Sequence, residues 1–292
     1  MNSANVSIFS EEVCHLGEGP TCDPVTGTVY WFDIVEKRML EKAWPDGPTL
    51  VQSLPEMASA TAFTGDRRQV ILTERGLYIR DRVGGGLILL QPIEADNAAT
   101  RSNDARVHPS GAFWIGTMGK RGENGAGSIY WYREGDLKLL YSGITIPNSI
   151  CFSPAGDVAY YADTRQKRLF RVECDPATGL PAGEPSILLD QQGQEGGIDG
   201  SICDAEGLIW NARWGSGALD CYAPDGRHLR RIDIPARQSS CPAFAGPQAD
   251  RIVVTSAWQG MDETARRADP QAGKTFLLDL PVKGRHEPCL LA

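Results

Sequence analysis

HPSGAFWIGTM, residues 108–118, contains a tight turn closing on Gly111, followed by a strand rich in aromatic and β-branched residues. The pattern recurs as DPVTGTVYWFDI (23–34), TGDRRQVILTE (64–74), SPAGDVAYYADT (153–164), DAEGLIWNARW (204–214) and GPQADRIVVTSAW (246–258). Counted at Gly27, Gly65, Gly111, Gly156, Gly207 and Asp250, the spacings are 38, 46, 45, 51 and 43 residues. A period near 45 with room for four short strands is the mark of a β-propeller blade. The 292 residues therefore predict an all-β, six-bladed β-propeller occupying 1–292 as a single domain. A ring left open would expose two sheet edges. Strands around Val6–Phe9 and Thr275–Leu280 are expected to close it by completing one blade together.

A (β/α)8 barrel needs a similar length, but also eight amphipathic helices. The longest stretches without Gly or Pro, 28–44 and 157–175, alternate with period two instead of 3.6. Only MDETARRA, 261–268, reads as a helix.

The net charge of −8 argues against nucleic-acid binding through basic patches. No apolar run approaches the ~20 residues of a membrane-spanning helix, so no membrane partner is expected. MNSANVSIFSEEV lacks the basic and apolar regions of a signal peptide, which predicts a cytoplasmic protein. Its eight cysteines contain no C-x-x-C pair and read as reduced, mostly buried thiols. The GGG at 84–86 reads as a hairpin, and no G-x-S-x-G, H-E-x-x-H or P-loop motif occurs. Trp31, Trp114 and Trp210 read as packing between blades, whereas Trp214 and Trp258 fall where a channel mouth would be.

Four polar residues share one place in the repeat. Glu18 lies nine residues before Gly27, while Asn103, Asn148 and Asp199 each lie eight before their turn glycines. The equivalent places in the other two repeats fall near Met57 and Pro242, both apolar. In a propeller these positions lie on a circle around the central channel. Two carboxylates and two amides converging there need a positive charge between them, and a divalent cation supplies it. Taken singly, Asn and Asp also cap turns.

LGEGP (16–20), RSNDARVHPSGAFWIGTM (101–118), IPNSICFSPAGD (146–157) and DGSICDAEGLIW (199–210) together resemble the SMP-30/gluconolactonase/regucalcin-like family. The resemblance extends through SSCPAFAG (239–246) and GMDETARRADPQAGKTF (260–276). It implies a six-bladed propeller with one divalent metal (Ca, Mg, Mn or Zn) at the top of the channel, hydrolysing sugar lactones. On that resemblance Glu18, Asn148 and Asp199 match metal ligands, and Arg101 and Asn103 match substrate-contacting positions. Glu123, in GKRGENGAG (119–127), approximates an acidic loop residue of the family.

Oxygen ligands without His or Cys favour a hard cation. Asp199 is then the expected base for the attacking water, with Arg101 and Asn103 orienting hydroxyls and stabilising negative charge. Arg213, Lys120 and Arg121 lie in segments expected at the mouth, so the substrate range includes urono- and aldarolactones beside aldonolactones. A non-catalytic calcium-binding or divalent-metal-binding propeller is the alternative. A monomer or small homo-oligomer is expected.

Overall fold

The structure, a computed structural model, describes residues 5–81 and 86–292. Gly84 and Gly85 of the expected GGG hairpin lie outside the described residues. Six four-stranded antiparallel sheets form the ring. Blades 1 to 6 are numbered by their innermost strands: Gly17–Cys22, Ala58–Phe63, Thr100–Val107, Pro147–Phe152, Gly197–Cys203 and Ser239–Ala245. Blade 6 takes its third strand from Thr275–Asp279 and its outermost from Asn5–Ser10, with Val6 opposite Leu278 and Ile8 opposite Phe276. That is the expected closure.

Strand alternation explains how the ring holds together. Each blade presents apolar side chains on both faces, and six clusters of buried residues fill the six seams between neighbouring blades. Trp114 and Phe152 meet edge-on in the seam between blades 3 and 4. Trp31 and Trp210 are likewise buried in seams. The turn after each innermost strand needs one left-handed residue. Gly27, Gly111, Gly156 and Gly207 supply it in four blades, but Arg67 and Ala249 do so in blades 2 and 6.

The helix is Glu263–Ala268, N-capped by Asp262, whose side chain accepts from the Ala265 amide. Seven of the eight cysteines are buried, all eight are free thiols, and only Cys289 is exposed. No helix among the described residues is long and apolar enough to cross a membrane.

The C-terminal segment crosses the end of the channel where those turns lie. Leu290 N donates to Phe63 O at 2.8 Å, and Leu291 N to Gly111 O at 2.9 Å. Arg285 Nη2 donates to Phe152 O at 3.0 Å. Among the described residues, the opposite end holds a cavity lined by the starts of the innermost strands.

Candidate functional site

Every innermost strand carries a β-bulge near its start, at the open end. A bulge interrupts the alternation of side chains and re-aims one of them. Glu18 and Asn148 are the last regularly paired residues before their bulges, whereas Asn103 and Asp199 lie inside theirs. Blades 2 and 6 place Ser59 and Ser240 in their bulges, so the polar ring continues where the sequence pointed to apolar Met57 and Pro242. Close approach explains the LGEGP glycine. Gly19 has φ +55°, and a Cβ there would collide with the carbonyl of Ser59 in the next blade.

Glu18, Arg101, Asn103, Asn148 and Asp199 line one cavity of about 200 Å³ at this end, and each is less than a tenth exposed. A directed chain of hydrogen bonds orders three of them. Arg101 Nη1 donates to Asn103 Oδ1 at 2.8 Å, and Asn103 Nδ2 donates to Asn148 Oδ1 at 2.7 Å. Asn148 Nδ2 donates to Thr164 Oγ1 at 2.8 Å, whose hydroxyl donates to Ile198 O at 2.6 Å. Asn103 Nδ2 also reaches Pro147 O at 2.9 Å, so both its donors are committed and it offers a ligand only its carbonyl oxygen. Asn148 Oδ1, with one lone pair taken, keeps the other for the cavity.

Electrostatics here are unresolved by the protein itself. Burial and the neighbouring Asp104 push the Glu18 carboxyl up to about 8. Burial, then the charges of Glu18 and Asp104, raise Asp199 well above the usual carboxylate range. Burial lowers the Arg101 guanidinium to about 10. Neither Glu18 nor Asp199 forms an ion pair among the described residues. Two desolvated carboxylates and an amide oxygen around one space suit a hard divalent cation, which would offset the burial and the repulsion that raise both groups. No cluster of three His, Cys, Asp or Glu occurs among the described residues, and this donor set avoids that pattern because its third member is an amide.

Other expected residues lie elsewhere. Arg213 is buried, but its guanidinium turns toward Asp220, Nε to Oδ2 at 3.7 Å, and Nη2 donates to Glu195 O at 3.0 Å. Lys120 pairs with Glu74. Glu123 is exposed and accepts from the Arg121 amide at 3.0 Å. None of these lines the cavity. Trp258 is taken up by the His15 ring, stacked at 3.9 Å between centroids, and by the Arg266 guanidinium 4.2 Å from its own centroid. His15 Nδ1 faces Glu36 at 3.1 Å.

The remaining wall of the cavity is Leu16, Met118, Ile146, Thr164, Trp214 and Gln259. Of these only Trp214 was readable as a mouth residue. Met118, Thr164, Trp214 and Gln259 share a signal: each sits at or just beyond the end of its blade's second strand, in blades 3, 4, 5 and 6.

The family model described as SMP-30/Gluconolactonase/LRE-like region matches residues 16–258. A protein of Rhizobium meliloti (strain 1021) assigned as a sugar lactone lactonase is 50% identical over 280 residues, 96% of this chain and 95% of the relative. The L-arabinolactonase of Azospirillum brasilense is 34% identical, covering 90% of this chain and 87% of its own. The crystal structure of a calcium-binding protein, regucalcin, from Agrobacterium tumefaciens strain C58 superposes with a TM-score of 0.96 at 48% identity, covering 100% of both chains.

Proposed function

The chain belongs to the SMP-30/gluconolactonase/LRE-like family and is a lactonase; on that premise we propose that it opens the ring ester of a sugar lactone with the help of one divalent cation held by Glu18, Asn148 and Asp199. The observation carrying this reading is the pair of buried carboxylates that form no ion pair among the described residues and face the cavity of about 200 Å³. When bound, a divalent cation polarises the lactone carbonyl and makes water more acidic.

The chain's own groups supply the rest. Asp199 accepts a proton from the water that adds to the carbonyl carbon, and passes it to the ring oxygen as the C–O bond breaks. Arg101 spends Nη1 on Asn103 and on Ser102 O, leaving its other N–H groups to stabilise the negative charge that develops on the carbonyl oxygen. Asn103 holds the Asn148 amide in orientation. The apolar wall of Leu16, Met118, Ile146 and Trp214 suits the ring face of a sugar and keeps bulk water out.

Arg101 is the one basic group lining this cavity among the described residues. A free carboxylate on the substrate would have to share the cavity with Glu18 and Asp199. Neutral lactones therefore fit better than aldarolactones.

The 48% identity to a calcium-binding regucalcin supports a second reading, in which the same ligands bind metal without turnover. Assay of neutral aldonolactones before and after EDTA separates the two. Hydrolysis that EDTA abolishes and a divalent salt restores is expected. A metal-free purified protein whose turnover EDTA leaves unchanged would overturn the metal assignment, and bound metal without turnover of any lactone would favour the second reading.

A further inference from the structure

The turns joining second to third strands all lie at the open end of the channel, and in blades 1 to 5 they hold two to seven residues. In blade 6 the same connection, 257–274, holds eighteen and contains the helix. Blade 3, with the longest of the others at 120–126, stands three blades away and so directly across the mouth. Of the blade 6 connection, Gln259 is the one residue that lines the cavity among the described residues, and it is half-buried.

The segment around Gln259 is held from several sides. Gln259 O accepts from Gln238 Nε2 at 3.0 Å. Trp258 N donates to His15 O at 3.1 Å, and Met261 N returns to Trp258 O at 3.0 Å. The Trp258 ring is clamped between His15 and Arg266. At the far end of the connection, Asp269 Oδ2 accepts from Arg237 N at 2.8 Å. The side-chain amide of Gln259 makes no hydrogen bond among the described residues. It is a pre-placed donor and acceptor with its partner left to a ligand.

We infer that Gln259 is a specificity-determining residue, its amide binding the lactone hydroxyl farthest from the reacting carbonyl. The inference rests on the lactonase reading. Glu18, Asn148 and Asp199 sit on innermost strands, so the reacting carbonyl lies toward the channel axis. The far end of the ring then meets the outer wall, where Gln259 stands. A carboxamide matches a hydroxyl, which both donates and accepts, and adds no charge beside the two carboxylates. Beside it Trp214 of blade 5, and across the mouth Met118 of blade 3, give apolar surface for the ring.

The test compares a six-carbon aldono-1,5-lactone with its 6-deoxy counterpart, in wild type and in Gln259→Ala. A neutral hydrogen bond contributes about 0.5–1.5 kcal/mol, or roughly two- to twelvefold. The substitution is expected to reduce kcat/KM for the hydroxyl-bearing lactone about fivefold more than for the deoxy lactone. Because the contact exists in ground and transition states alike, the loss should fall on KM and leave kcat near wild type. Equal losses on both substrates, or a loss confined to kcat with a lowered thermal midpoint, would overturn the inference while leaving the lactonase reading intact. A wild type that hydrolyses neither these nor any other sugar lactone would overturn both.

Discussion

At the closed end of the channel, Arg106 is buried and its Nη1 donates to Glu287 Oε1 at 2.9 Å, with Nη2 on Ser201 O at 3.3 Å. Beside it Asp104 accepts from Ile150 N at 2.7 Å. At the open end, Glu18 and Asp199 are as deeply buried yet face a cavity and each other. Both ends take charge out of water, which costs several kcal/mol per ion unless it is compensated. The closed end finds its compensation within the chain, through a C-terminal segment that delivers a carboxylate to a waiting guanidinium. At the open end Arg101 offsets only part of the burial that holds Glu18 and Asp199 above the usual carboxylate range. A buried charge answered by the protein is architecture, and one left for a ligand marks where the chemistry is done.

Removing a charge from the open end should cost activity more than stability. Asp199→Asn takes away a charged ligand and the proposed proton acceptor together, and kcat should fall about 10²-fold or more. The fold should survive, because the substitution relieves repulsion instead of creating it. Near wild-type kcat in a metal-loaded variant would remove Asp199 from the mechanism.

At the closed end the expectation reverses. Glu287→Ala strands the buried Arg106 guanidinium. Breaking a fully buried pair costs about 3–5 kcal/mol, and because Glu287 is 22% exposed the expected loss is nearer ~2 kcal/mol. Urea unfolding measures it, and kcat per folded molecule should stay at the wild-type value. A drop in kcat with unchanged stability would show that the two ends are coupled.

The smallest effect concerns pH, again at the closed end. Burial holds His108 below its ordinary 6.5. Its Nδ1 accepts from Ser110 N at 3.0 Å, so Nε2 carries the proton and donates to Gly156 O at 2.8 Å. With the folded value depressed, this residue's contribution is fully present above 6.5 and declines as the pH falls below it, because the unfolded chain takes up the proton first. The slope from one proton is at most ~1.4 kcal/mol per pH unit. Urea midpoints at pH 5 and 7.5 for wild type and His108→Gln should show a shallower acid slope in the variant. Identical slopes would assign the acid sensitivity to other groups.

The blade count was legible because each turn after an innermost strand is punctuated at a spacing near 45. The register was less so. Counting from Gly65 and Asp250 pointed to Met57 and Pro242, because in those blades the left-handed position belongs to Arg67 and Ala249. Such a turn cannot be located by looking for glycine. The carboxylate and amide residues were legible because they stand beside short, unusual strings such as LGEGP and IPNS. Arg213 misled because a strand alternates: its neighbour Trp214 faces the cavity, so Arg213 faces the blade. Thr164 closes a repeat string and Gln259 lies just past another, in turns whose direction only the folded ring defines. Lys120 and Glu123 sit on a mouth loop whose side chains find partners within the protein.

The blade that joins Asn5–Ser10 to Thr275–Asp279 sets a condition on biosynthesis. Asn5 and Asp279 pair across 274 positions of sequence. The first strand to leave the ribosome is therefore the last to find its neighbour, and at ~5–20 residues per second that wait is roughly 15–55 s. Throughout it, five blades can form from contiguous sequence while the sixth lacks its outer half, and the nascent chain carries an unpaired strand that any other exposed sheet edge could capture.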